Sequence, residues 1–242
     1  SGIIKKSSAV VIAEQSLEVL KVLQARCRQV RVTPIIVGKD IKAKFIASDL
    51  SKQTFSVNTK IFKTTLLGRH QIVNAAVAVG IVFSLRHLGF MIKDQAVKKG
   101  IAKTFWPLRF EIIGRKSRII LDGAHNPQSC QRLAETIRQI FPGKKVTLIF
   151  GSSDDKDIQG MAGYLLPIVH MIVLTHAAHP RALVWTPQLV RRFFPKQNIF
   201  VAQSVLSACK FALKVSGGKD PILTTGSIFL AAQARKIFSK FQ

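Results

Sequence analysis

Acidic residues are scarce in this chain. Its 242 residues hold 12 Asp and Glu against 37 Lys and Arg, a formal net charge of +25. A balance so one-sided suits anionic partners, from nucleic acid to small phosphorylated or carboxylated substrates. Aromatic residues that stack on bases are also few, with two Trp and one Tyr. The basic residues are spread along the chain and gather in no tail or single helix. Both features argue against a stacking platform for single strands, so nucleic acid is the weaker reading; a basic proteome, or a protein whose other half is more acidic, accounts for the charge, and small anionic substrates would also suit a positive cleft. Only three cysteines occur, Cys27, Cys130 and Cys209, never in Cys-x-x-Cys spacing. That excludes a disulfide frame or zinc knuckle and predicts reduced core thiols in a cytoplasmic protein. No apolar run is long enough for a bilayer, so no membrane partner is expected; Ala75–Leu85 reads as a buried helix. The opening Ser1-Gly2-Ile3-Ile4-Lys5-Lys6 does not read as a signal peptide. Gly-x-x-x-x-Gly-Lys-Ser/Thr, Gly-x-Gly-x-x-Gly and Gly-x-Ser-x-Gly are all missing, which excludes a complete phosphate-cradling loop and a nucleophile elbow. The His176-Ala-Ala-His179 pair lacks a Glu and a nearby third ligand, so no metal site is expected there.

Hydrophobic residues make up 48% of the chain, ample for a sizeable core. Residues 9–13 read as a short buried strand, and 14–28 carry apolar residues at helical spacing. Between 35 and 66, β-rich stretches such as 54–57 and 61–64 alternate with polar turns and predict an antiparallel patch. A long helix is expected from about Gln71 to His87, opened by Gly68 and closed by Gly89, then a shorter one over 93–103. Trp106-Pro107 breaks the pattern and marks a domain boundary, giving domains 1–105 and 106–242. From 108 onward, apolar runs at 118–121, 146–150, 168–174, 199–201 and 222–224 alternate with helical stretches near 128–140, 157–165, 187–194, 204–215 and 227–240. This alternation predicts an α/β fold with a mostly parallel sheet. Phe83, Phe105, Phe110, Phe193 and Phe194 are expected to pack.

The most informative stretch is Leu121-Asp122-Gly123-Ala124-His125-Asn126-Pro127. An apolar strand ends in a carboxylate and a glycine turn follows. Then come an imidazole, an N-cap residue and a proline at the first helical position. In α/β sheets that strand edge is where ligands bind, and helix N-termini suit phosphates. Ser227, after Thr224-Thr225-Gly226, opens the last helix as an N-cap or as a ligand for a carboxylate. Asp155-Lys156-Asp157 starts a helix, where acids are expected from the helix dipole alone.

Five segments in this order resemble the folylpolyglutamate synthase / dihydrofolate synthase family of the Mur ligase superfamily. They are Gly2-Ile3-Ile4-Lys5, Leu67-Gly68-Arg69-His70-Gln71-Ile72-Val73-Asn74-Ala75, Trp106-Pro107-Leu108-Arg109-Phe110-Glu111, Leu121 to Pro127, and Thr224-Thr225-Gly226-Ser227. Phe150-Gly151 and Pro180-Arg181-Ala182 fit the same pattern. The resemblance implies the tail of a central ATPase domain over 1–105 and a complete Rossmann-like C-terminal domain over 106–242. It also implies an N-terminal half with the phosphate loop, not present in this sequence and supplied in cis or in trans.

The implied reaction is ATP-dependent addition of L-glutamate to a folate or dihydropteroate carboxylate through an acyl phosphate, with ATP and Mg2+ as cofactors. The metal's ligands would lie mainly in the other half. Without that half, this chain is expected to be inactive, and a split enzyme, a binding module or a related wall-precursor ligase are the alternatives. By resemblance, Asn74, Arg109 and Asp122 contact the nucleotide, His125 and Ser227 hold glutamate, and His125 and Asp122 act in catalysis. Two positions depart from the pattern: Leu108 stands where the family usually has glycine, and Phe229 where tyrosine is common.

Overall fold

In the computed structural model, residues 2–114, 118–195 and 197–241 are described. The chain divides into two units, 1–105 and 106–242.

The first unit is built from small sheets and one long helix. Strands β1 (Val11–Ile12) and β2 (Ile35–Ile36) pair in parallel, joined through helix α1 (Leu17–Gln29). Strands β3 (Ala43–Ser48), β4 (Gln53–Val57) and β5 (Lys60–Thr64) form the expected antiparallel patch. Period-2 alternation puts Phe55, Val57 and Phe62 on its inner face, where they meet Ile72, Ala76 and Val79 of helix α2 (Arg69–His87). Helix α2 ends in a left-handed Gly89 at φ +92. Gly89 N–H donates to the Arg86 carbonyl, and Phe90 N–H to that of Leu85, closing the helix as the sequence reading expected. Helix α3 (Asp94–Lys103) follows.

The second unit is a six-stranded sheet in the order β10-β9-β8-β11-β7-β6. Its strands are β6 (Glu111–Ile113), β7 (Ile119–Leu121), β8 (Val146–Phe150), β9 (Val169–Leu174), β10 (Ile199–Val201) and β11 (Ile222–Thr225). All pairings are parallel except β6 with β7. The mostly parallel α/β sheet stands as expected; β6, an antiparallel edge strand of three residues, was not foreseen.

Helices α4 (Pro127–Ile140), α5 (Ile158–Leu165), α6 (Pro187–Phe193), α7 (Val205–Ser216) and α8 (Ile228–Phe238) connect or follow the strands. Helices α7 and α8 pack together over Ile119, Leu121, Ile149, Val173 and Ile222. Helix α4 packs on α5 across the opposite face, as right-handed crossovers require. Every residue of β8 is buried, the mark of a strand covered on both sides. The three cysteines are free and buried, as read from the sequence. Phe110 and Phe194 are buried, whereas Phe105, expected to pack, is exposed on the segment leaving α3. Among the described residues, no helix is long and apolar enough to cross a membrane.

Candidate functional site

Strand β11 lies between β8 and β7, and the helices after β8 and β11 lie on opposite faces of the sheet. Chain connections therefore diverge at this point, opening a crevice at the C-terminal strand ends. A pocket of about 180 Å3 occupies it, lined by His125 after β7, Ser153 and Lys156 after β8, Arg181 after β9, and Ser227 and Phe229 at the start of α8.

Close backbone crossings hold these loops. Gly226 N–H donates to the Ala124 carbonyl at 2.9 Å, tying the β11 turn to the β7 turn. Leu183 N–H donates to the Ser152 carbonyl at 2.8 Å, and Ser153 bridges Ala182, which fixes Arg181 beside Lys156. Gly226 has φ +95, and a Cβ there would stand 2.6 Å from the Gly151 carbonyl oxygen, so only glycine fits.

His125 Nδ1 lies 2.9 Å from the Gly123 carbonyl. A carbonyl only accepts, so Nδ1 carries the hydrogen, and Nε2 of the neutral ring is left as an acceptor. Protonated, the same ring donates from Nε2 and joins Lys156 and Arg181 as a third cation. The N-terminus of α4, which the sequence offers to a phosphate, is closed by its own chain. Asn126 Oδ1 accepts from Ser129 N–H at 2.8 Å, and Ser129 Oγ accepts from the Asn126 and His125 N–H groups at 3.1 Å each. At α8, Ser227 Oγ accepts from Phe229 N–H at 3.2 Å, so Ser227 is an N-cap that also faces the pocket. The Phe229 ring stacks on His179, with centroids 3.9 Å apart.

Asp122 follows β7 directly, three residues before His125. Its Oδ2 accepts from Phe110 N–H and its Oδ1 from Ala124 N–H, both at 2.8 Å. Burial pushes its carboxyl up to about 6, against the pull of those two donors and of the nearby Arg109 and His125 charges. It does not cap α4, a role Asn126 fills. Arg109 is exposed, with its guanidinium carbon 5.7 Å from the Trp106 ring centroid.

The remaining expected residue, Asn74, is exposed on α2 in the first unit, and its Nδ2 donates to Gln71 Oε1 at 3.0 Å. Asp157 is the N-cap of α5 and accepts from Gly160 N–H at 2.8 Å, as the dipole reading expected. The sequence marks neither Lys156 nor Arg181 as a ligand: Lys156 falls in a helix start with a structural reading, and Arg181 carries only the family pattern. Among the described residues, no three His, Cys, Asp or Glu side chains gather to hold a metal, so the Mg2+ implied by resemblance finds no ligand set here.

Residues 108–228, half of the chain, match the Mur ligase, glutamate ligase domain. The chain belongs to the Mur ligase family. Over 98% of its length it is 28% identical to the dihydrofolate synthase/folylpolyglutamate synthase of Bacillus subtilis, covering 56% of that relative. The folylpolyglutamate synthase crystal structure from Thermotoga maritima aligns with a TM-score of 0.79 and 26% identity, covering all of this chain and 56% of that one. The folylpolyglutamate synthase of Mycobacterium tuberculosis complexed with ADP shares the fold, with a TM-score of 0.86 at 24% identity over 98% of this chain and 57% of its own. This Mur ligase chain thus spans about half the length of the relatives it matches, and within that half it is a homologue of folylpolyglutamate and dihydrofolate synthases.

Proposed function

We propose that this chain is the amino-acid-binding half of an ATP-dependent ligase. The ligase would join L-glutamate to a folate or dihydropteroate carboxylate through an acyl phosphate. The single observation that carries the reading is the pocket in which His125, Lys156, Arg181 and the Ser227 helix start converge. Three cationic or ionisable nitrogens beside a helix N-terminus suit the two carboxylates of glutamate. Neutral His125, with Nε2 free to accept, suits a substrate amine that must lose a proton as it attacks.

In this reading a substrate carboxylate oxygen takes the γ-phosphoryl group and ADP leaves. The glutamate nitrogen then bonds to the acyl carbon, and the tetrahedral intermediate collapses with release of inorganic phosphate. Lys156 and Arg181 would hold glutamate in line for that attack, and His125, protonated once it has taken the amine's proton, would meet phosphoryl charge. Arg109, with its planar donor fork, and Asn74, with an amide that both donates and accepts, are the proposed nucleotide contacts. The ADP bound by the tuberculosis relative supports a nucleotide site here. Magnesium and the phosphate loop would come from the other half of the ligase, in cis or in trans.

Calorimetry with the chain tests this directly. L-glutamate should bind, and His125→Ala or Arg181→Ala should weaken it about tenfold or more, the loss of one charge-assisted hydrogen bond. Wild-type affinity in both variants, or no glutamate binding at millimolar concentration, would overturn the reading.

A further inference from the structure

Arg109 sits between two residues in a conformation that L-amino acids avoid: Leu108 has φ 60 and Phe110 has φ 49. Such a pair persists only where its surroundings fix it. Here three of the flanking backbone groups are tied. The Leu108 carbonyl accepts from Gly123 N–H at 2.8 Å, Leu108 N–H donates to Glu111 Oε2 at 3.0 Å, and Phe110 N–H donates to Asp122 Oδ2 at 2.8 Å. The Phe110 ring is buried below.

Glu111 is the unusual member, an acid only 8% exposed at the start of the edge strand β6. A buried carboxylate needs a counter-ion and hydrogen bonds. Arg235 supplies both, with Nε 2.9 Å from each carboxylate oxygen. Arg235 lies on α8, whose first turn borders the His125 pocket. One helix therefore meets the pocket at its start and, two turns later, grips the carboxylate that holds the Arg109 loop. An apolar residue at 111 would pack an edge strand as well, but would leave Leu108 N–H and Arg235 without an acceptor.

We propose that Glu111 and Arg235 are positioning residues, a pair that aims the Arg109 guanidinium and links it to the helix bordering the glutamate pocket. For its effect on ligand binding this rests on the reading of Arg109 as a nucleotide contact; for the geometry it does not.

Two readouts separate those parts. Trp106, beside Arg109, is 60% exposed, whereas Trp185 is 6% exposed. Quenching by neutral acrylamide therefore reads Trp106, with Arg109→Ala as the reference for a lost stack. ADP affinity is measured alongside by calorimetry, and far-ultraviolet circular dichroism checks the fold. Arg235→Met, and the milder Glu111→Gln that keeps an acceptor for Leu108 N–H, should both move Trp106 quenching to the Arg109→Ala level. Both should also weaken ADP to the same degree as Arg109→Ala. Wild-type Trp106 quenching in both variants overturns the proposal, even if they melt earlier, because the pair would then be a structural staple. If the wild-type chain binds no ADP, the nucleotide reading falls while the Trp106 signal still decides the positioning.

Discussion

The two units differ in how much of their apolar surface they cover themselves. In residues 106–242 the strands β7, β8 and β11 are buried throughout, and helices lie on both faces of the sheet. In residues 1–105, α1 buries one of its thirteen residues, Cys27, and α3 buries none. Leu17, Val22 and Met91 stand 75%, 62% and 100% exposed. One sequence thus contains a unit whose central strands are covered on both faces and a unit whose helices α1 and α3 bury little of themselves. The pocket with His125, Lys156 and Arg181 stands on the first kind. A site whose geometry must hold to a fraction of an ångström belongs on elements locked by packing.

The sharpest way to break that comparison is to damage only the saturated unit. Gly226→Ala places a Cβ 2.6 Å from the Gly151 carbonyl oxygen at a residue with φ +95. Neither backbone can yield cheaply, and we expect a loss of about 3–5 kcal/mol. Both tryptophans lie in 106–242, so urea melts followed by tryptophan emission read this unit alone. Hydrogen exchange of β4 and α2 in the other unit should stay at the wild-type level. A matching loss there would mean that the units fold as one, and the contrast would be void.

Much of this saturated unit was legible in advance because its signals are local. Parallel strands buried on both faces appear as apolar runs, and β8 occupies 146–150 as its run predicts. Asn126-Pro127 marks the start of α4, and Ser227 that of α8. The rest depends on contacts the chain makes with itself at long range. Strand β6 is too short to carry a period, and its Glu111 meets Arg235 across 124 residues. Lys156, Arg181 and His125 line one pocket through the strand order β9-β8-β11-β7, which local pattern does not encode. The left-handed Leu108 has a family hint, since glycine is usual there. Phe110 gives no signal at all.

A smaller effect separates the site's electrostatics from its packing. The Asp122 carboxyl is raised from 3.8 to about 6 in the folded chain. Between those values the folded state keeps a proton that the unfolded state has lost, so stability falls as pH rises. The group's contribution is full below pH 4 and gone above about pH 6, at most about 3 kcal/mol for this shift. Asp122→Asn keeps one acceptor oxygen and removes the titration. Tryptophan-detected melts at pH 4 and pH 7 should show a drop in the wild type that the variant lacks. The same drop in both would assign it to other groups.

The smallest expected effect tests the open half. Leu17→Ser and Val22→Ser remove apolar side chains that α1 already presents to water, so each should change stability by no more than about 0.5 kcal/mol. Phe55→Ala, at a fully buried ring in the same unit, should cost about 3–5 kcal/mol. Hydrogen exchange in α1 and β4 reads the two against each other. A cost above 1 kcal/mol for Val22→Ser would mean that something covers α1 in solution. A second copy of the chain would make that cost grow with protein concentration, whereas a cost independent of concentration would place the cover within the chain itself.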